Sequence, residues 1–277
     1  MKRDKIYSGI RIALVSIFAI PWIAVPLWMV LVNSFKTPGE AAKLQLTLPT
    51  DWAIAANYGA VFMQGGYGKA LVNSLIVSIP TIIVVVLVGA AAAWAFGRSR
   101  KVSMQTVFYA IALSMLVPPT LIPTIYLLRE IQLDGTILGY VLVMIGTRMG
   151  VLVFLATGFV RNMPVDLEAA AEIDGANRLQ VFFQIILPLL SPVLFVGGIF
   201  ILVTVWGDFF FAQFLIPGTA TQTLPLSLYS FASSSAQTLR WNLVFAHVAM
   251  TGLPLLIAFV LAQRKVIGGL SEGAVKG

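Results

Sequence analysis

Residues 166–192 read DLEAAAEIDGANRLQVFFQIILPLLSP, a polar island that opens into an apolar run. Asp166, Glu168, Glu172 and Asp174 bring four of the chain's eleven acids into nine residues. The surroundings are the opposite: of 277 residues, 59% are hydrophobic and 10% charged, and the mean hydropathy is +0.94. Such a balance lies outside that of soluble domains and marks an integral membrane protein. Apolar runs near 12–32, 71–96, 107–128, 137–160, 189–214 and 243–262 are each about long enough to cross a bilayer as a helix. An all-α membrane protein with six transmembrane helices in a single domain over 1–277 is therefore expected. A closed barrel would need strands of about ten residues with alternating polarity, and the sequence has none of that pattern. The basic start, Met1-Lys2-Arg3-Asp4-Lys5, precedes an apolar run too long for a signal peptide and without an A-x-A site, so it reads as the retained first span.

Basic residues orient the spans, because Lys and Arg near span ends stay on the cytoplasmic side. With the N-terminus inside, Lys2, Arg3, Lys5, Arg11, Arg98, Arg100, Lys101, Arg161, Arg178, Arg264, Lys265 and Lys276 fall inside; Lys36, Lys43, Lys69, Arg129 and Arg240 fall outside. Both termini are expected to be cytoplasmic. The net charge of +7 is then topology and membrane-surface attraction, with no nucleic-acid footprint. Absence of cysteine removes disulfides and thiol chemistry, and no metal site is expected. Residues 33–70 form a long external loop able to face an outside partner, while 161–188 is the one inner loop large enough to hold structure.

In that inner loop, Pro164 suits a first helical turn and the acids behind it complement a helix N-terminus, predicting a helix over 164–174. Glu168 and Glu172 are four apart and share a face, and Ala169, Ala170 and Ala171 keep the helix slim enough to enter a groove. Gly175 suits a left-handed helix end. Leu179, Phe182, Phe183 and Ile186 then predict an apolar stripe on a second helix, and Pro188 marks entry into the fifth span. A solvated loop is the plain reading of such an acidic cluster; helix, glycine break and amphipathic helix in succession describe a built docking surface.

The stretch resembles the signature loop of permease subunits of bacterial ATP-binding-cassette importers, in particular the smaller subunit of the maltose type. That signature reads Glu-Ala-Ala, three residues, Gly, nine residues, Ile, one residue, Leu-Pro; Gly175, Ile185, Leu187 and Pro188 stand at the required spacing. Ala169 occupies the signature glutamate position, with Glu168 one place earlier. NSFK at 33–36, ALVNSLIV at 70–77, AAWAFGR at 92–98, WGDFFF at 206–211, TLPLSL at 223–228 and the terminal GLSEGAVKG are similar to the same subunits. The resemblance implies the type I ABC importer permease fold with a cytoplasmic coupling helix in the bacterial inner membrane. It also implies a heterodimer with a second permease, two cytoplasmic ATPase subunits and an external solute-binding protein. Asp166, Leu167, Glu168, Ala169, Ala170, Ala171, Glu172, Asp174 and Gly175 would make the ATPase contact. No cofactor is expected on this chain, and ATP and Mg would sit on the ATPase partners: Gly68-Lys69 is followed by Ala70 and preceded by Met63 where a phosphate loop needs glycine. The chain is expected to be non-catalytic.

Polar groups inside spans are the candidates for the solute path. Arg148, central to the fourth span, reads as a path residue that binds a substrate oxygen or anionic group, as a partner of the second permease, or as a side chain snorkelling beside Gly146 and Gly150, which are spaced for close helix contact. Pro118, with Pro119 and Pro123, breaks the third span, either lining a cavity or merely kinking the helix. Asn73, Trp206, Asp208 and Asn242 lie in outer halves of their spans; Trp206 suits sugar stacking or interfacial anchoring, and His247 reads as a hydrogen-bonded structural residue. Gly89, Ala93 and Gly97 form a small-residue seam that suits close packing, possible against the second permease. A secondary transporter would show paired intramembrane acids or inverted repeats, and a membrane enzyme would cluster His, Asp and Glu; neither pattern is present. The expected solute is a sugar or oligosaccharide, with a sugar phosphate, glycerol phosphate or other anionic sugar as the alternative that Arg148 raises.

Overall fold

The computed structural model describes residues 2–117, 119–216, 218, 220–235 and 240–274, and every regular element among them is helical. The helices are α1 (Lys2–Ser34), α2 (Pro38–Ala41), α3 (Ile54–Gln64), α4 (Tyr67–Arg98), α5 (Val102–Ser114), α6 (Leu121–Glu130), α7 (Ile137–Arg161), α8 (Asp166–Ile173) and α9 (Arg178–Val181). A π-turn (Phe182–Ile186) leads into α10 (Leu187–Trp206), followed by α11 (Phe210–Leu215), α12 (Leu224–Ser235) and α13 (Trp241–Ala274). Tyr67–Arg98, Ile137–Arg161, Arg178–Trp206 and Trp241–Gln263 are long and apolar enough to cross a membrane; Ile20–Ser34 and Val102–Leu113 are shorter apolar helices.

Two expected spans differ in detail. The third divides into α5 and α6, with residues 115–120 between them. Proline supplies no N–H and bars the helical conformation from the residue before it, so a Pro-Pro pair ends the helix. The fifth, expected over 189–214, stops at Trp206 and restarts at Phe210. The Asp208 carboxylate accepts a hydrogen bond from the Ala212 amide at 3.1 Å, satisfying a donor that a continuous helix would have satisfied itself.

The chain divides into two units, Met1–Gly68 with Ser227–Pro254 and Lys69–Leu226 with Leu255–Gly277. In the second, the core is a meeting of glycines with side chains of α7. A Cβ at Gly89 would lie 2.9 Å from Leu152 Cδ2, and one at Gly197 would lie 2.3 Å from Leu152 Cδ1, so this fully buried leucine sits between α4 and α10. Gly97 faces Val160 in the same way. The seam considered above as a contact with a second permease is thus filled by this chain's own α7. Gly150 packs on Ile111 and Ser114 of α5 and on Met115 just beyond its end, whereas nothing lies within 4 Å of a Cβ at Gly146.

In the first unit, the segment following α1 is folded onto itself. Buried Lys36 donates to Gln45 O at 2.6 Å and to Asn33 Oδ1 at 3.3 Å. Asn57 Nδ2 donates to Ser34 O and Lys36 O, each at 2.8 Å, while its Oδ1 accepts from Asn242 Nδ2 at 2.6 Å. Phe35 stacks on Trp52 at 5.9 Å. Asn57→Ala leaves two carbonyls and an amide without partners in a buried position, about 1–3 kcal/mol for each group left unsatisfied. Faster tryptic cleavage after exposed Lys43 is the expected outcome, and an unchanged digestion rate would show that this hub does not hold the segment.

Candidate functional site

Helix α8 begins two residues later than expected, with Pro164 ahead of its first turn. Its end follows the predicted chemistry: Gly175 has φ +85 and Ala176 N bonds back to Ala171 O at 2.9 Å, a left-handed closure that glycine adopts without steric cost. Asn177 then caps α9 reciprocally with Gln180. The expected apolar stripe is split, because the π-turn widens the helix ahead of Pro188, which cannot donate a backbone hydrogen bond. Phe182 and Ile186 are buried, while Leu179 and Phe183 are exposed.

The acids of α8 divide. Asp166, Glu172 and Asp174 are exposed, as are Leu167, Ala169, Ala170 and Gly175, and Ile173 is 86% exposed. Glu168 and Ala171 turn inward, each 9% exposed. Glu168 Oε2 accepts from Trp94 Nε1 at 2.9 Å and Oε1 from Arg98 Nε at 2.7 Å. Arg98 Nη2 lies 2.7 Å from the same Oε1. The guanidinium also donates to Val160 O at 2.9 Å and Met163 O at 3.1 Å, at the end of α7. Trp94 stacks on Phe182 at 6.0 Å. Arg98 counted in the sequence only as a topological charge, and Trp94 as an apolar residue of a span. Their four-residue spacing, which places both on one face at a helix end, is the signal that could have paired them with an acid.

Among the solute-path candidates, Tyr140 OH donates to Asp208 Oδ2 at 2.7 Å, a contact across 68 residues of sequence. The Nε of Arg148 is buried without a hydrogen-bond partner among the described residues. Asn73 Nδ2 instead ties the loop before α12, donating to Ala220 O and Gln222 O at 3.1 and 3.0 Å. Asn242 belongs to the Asn57 hub. Trp206 is buried at 4% exposure and shows no ring face to solvent or lipid. Pro118 lies outside the described residues. His247, expected to be hydrogen-bonded, is fully buried with neither ring nitrogen partnered among the described residues. It packs edge-on against Tyr67 at 6.0 Å and Phe231 at 5.4 Å. Among the described residues no group of three or more His, Cys, Asp or Glu gathers as a metal site.

Residues 72–266 match the family model described as a binding-protein-dependent transport system inner membrane component. The chain is 30% identical over 262 residues to a probable starch degradation products transport system permease protein of Thermoanaerobacterium thermosulfurigenes, covering 94% of each. It is 30% identical over 257 residues to the melibiose/raffinose/stachyose import permease protein of Bacillus subtilis, covering 91% of each. In three dimensions it superposes on a chain of a bacterial ABC transporter that imports the acidic polysaccharide alginate, with TM-score 0.78 and 21% identity over 95% of this chain and 98% of that one. At that identity the likeness carries the fold, which is the type I ABC importer permease fold.

Proposed function

Because the chain belongs to the family of binding-protein-dependent transport system inner membrane components, we propose that it is the permease subunit of an ATP-driven importer for a sugar or oligosaccharide. The observation that carries this is a short, slim helix, α8, exposing Leu167, Ala169, Ala170 and Ile173 between two spans of a family member. The two relatives above, both named for carbohydrate transport, support the solute class. The chain works in the bacterial inner membrane with both termini cytoplasmic. A second permease completes the translocation path, two ATPase subunits bind below, and a solute-binding protein delivers the sugar from outside. This subunit itself binds no ATP or Mg; those belong to the ATPase partners.

The physics of the contact is apolar burial with an acidic rim. Covering a side chain such as Ile173, which is 86% exposed, contributes roughly 1.5–3 kcal/mol. Asp166, Glu172 and Asp174 around it supply charge for orientation more than affinity. Closure of the ATPase pair moves α8 and switches the spans between inward- and outward-facing states. Purification of the tagged chain from its native membrane is expected to recover a second permease and an ATPase with it; recovery of this chain alone would sink the proposal.

Arg148 is the residue of this subunit proposed to meet the solute. A guanidinium inside a span, with Nε buried and unpartnered among the described residues, holds donors for sugar oxygens where water is scarce. Arg148→Ala should abolish uptake in cells while the assembled complex is still recovered. Uptake at the wild-type rate would remove Arg148 from the path.

A further inference from the structure

We propose that Glu168, Arg98 and Trp94 form the mechanical link that turns displacement of α8 into movement of the spans, so that Glu168 acts inward on its own chain and not on an ATPase. This rests on the reading of α8 as the ATPase contact. A helix of eight residues is too short to persist by itself, since isolated helices below about 12–15 residues are marginal in water. Its geometry must come from what holds it. Both carboxylate oxygens of Glu168 are occupied from α4: Oε1 by Arg98 Nε and Nη2, Oε2 by Trp94 Nε1. The same guanidinium holds Val160 O and Met163 O at the end of α7. The same indole stacks on Phe182, in the turn that leads into α10.

One span, α4, therefore holds the carboxylate directly, and the two side chains that hold it also touch the end of α7 and the turn into α10. The pair is largely shielded, with side chains 19% and 12% exposed, where charge-assisted bonds are strong and poorly screened. Two guanidinium nitrogens meet one carboxylate oxygen and the indole N–H meets the other, so α8 cannot roll or slide against α4 without breaking several bonds together. A flexible tether would absorb a displacement of α8; this cluster passes it on. Asp166, Glu172 and Asp174 remain exposed for outside contact, which separates the two jobs of one short helix: its outward face receives the motion and Glu168 delivers it. Glu168, Arg98 and Trp94 are positioning residues, none of which touches ATP or solute.

The test uses the whole complex in proteoliposomes, with sugar uptake and ATP hydrolysis measured together and normalised to assembled complex. Glu168→Gln and Arg98→Gln are each expected to lower sugar transported per ATP hydrolysed by tenfold or more, with the ATPase subunits still co-purifying. The double variant should be no worse than either single one, as for groups acting as a unit. Trp94→Phe, which keeps an aromatic ring beside Phe182 but removes the indole N–H and part of the ring area, should give a smaller loss and guards against variants that fail to fold. A wild-type transport ratio in Glu168→Gln and Arg98→Gln would overturn the link. Loss of the ATPase from the Glu168→Gln complex would also overturn it, because Glu168 would then be a docking contact. Failure of the wild-type complex to hold any ATPase would instead strike the reading of α8 itself.

Discussion

Gly97→Ala is expected to loosen the packing of α4 on α7 and to lower the thermal unfolding midpoint of the purified protein. An added Cβ would lie 2.5 Å from Val160 Cγ1 and 2.8 Å from Val160 Cβ. The second distance decides the sign, because a Cβ is fixed to its backbone and no rotamer change withdraws it. Helix α7 must shift, and overpacking of this kind costs about 1–3 kcal/mol. Alanine in an open helical site has the opposite effect, since it favours the helix over glycine by roughly 1 kcal/mol. Gly146→Ala and Gly158→Ala, both in α7 with nothing within 4 Å of the new Cβ, should therefore be neutral or stabilising. Adding Val160→Ala to Gly97→Ala removes the Cγ1 contact but leaves the Cβ in place, so it should recover little of the loss. Equal midpoints for Gly97→Ala and Gly146→Ala would mean that the close approach does not contribute to stability.

The spans were legible because a bilayer demands long uninterrupted apolar runs, and the break between α5 and α6 and the helix end at Gly175 were legible because proline and glycine impose backbone constraints that few alternatives satisfy. Direction was not. Glu168 and Glu172 share a helical face by spacing, yet the buried edge of α8 runs through Glu168 and Ala171 and leaves Glu172 on its exposed rim. What turns Glu168 inward is a tryptophan and an arginine some 70 residues away, and no local pattern in 166–192 encodes that distance. The same holds for Tyr140, whose partner Asp208 lies 68 residues away and leaves no local mark around it. The seam of Gly89, Ala93 and Gly97 told that a close approach occurs but not which helix approaches, since any apolar neighbour fits such a groove. Trp206 and Asn242 looked available because polar and aromatic groups in spans attract functional readings; burial of the first and the Asn57 contact of the second give them structural work.

Asp208→Asn is expected to be more damaging than its small change in shape suggests. The Tyr140 hydroxyl can still donate to the amide oxygen of asparagine, and so can the Ala212 amide, so both hydrogen bonds made by Asp208 Oδ2 keep an acceptor. What disappears is the carboxylate's negative charge, that of the one acid within a span and so the nearest candidate to balance Arg148. Arg148 and Asp208 are each only partly buried, so weakening an attraction between them costs on the order of 1 kcal/mol. Adding Arg148→Gln to Asp208→Asn removes the orphaned charge, so the double variant should recover folded yield relative to Asp208→Asn alone, with an interaction energy of about 0.5–3 kcal/mol between the two sites. Sugar uptake should be absent in the double variant, because the guanidinium proposed to meet the solute is gone. Folded yield after detergent extraction, measured by gel filtration, separates the contributions: Tyr140→Phe removes only the hydroxyl bond and reports that bond alone. If the single and double variants give the same folded yield, the Arg148 charge is balanced elsewhere, and its free donors would then point toward a second permease and away from the solute.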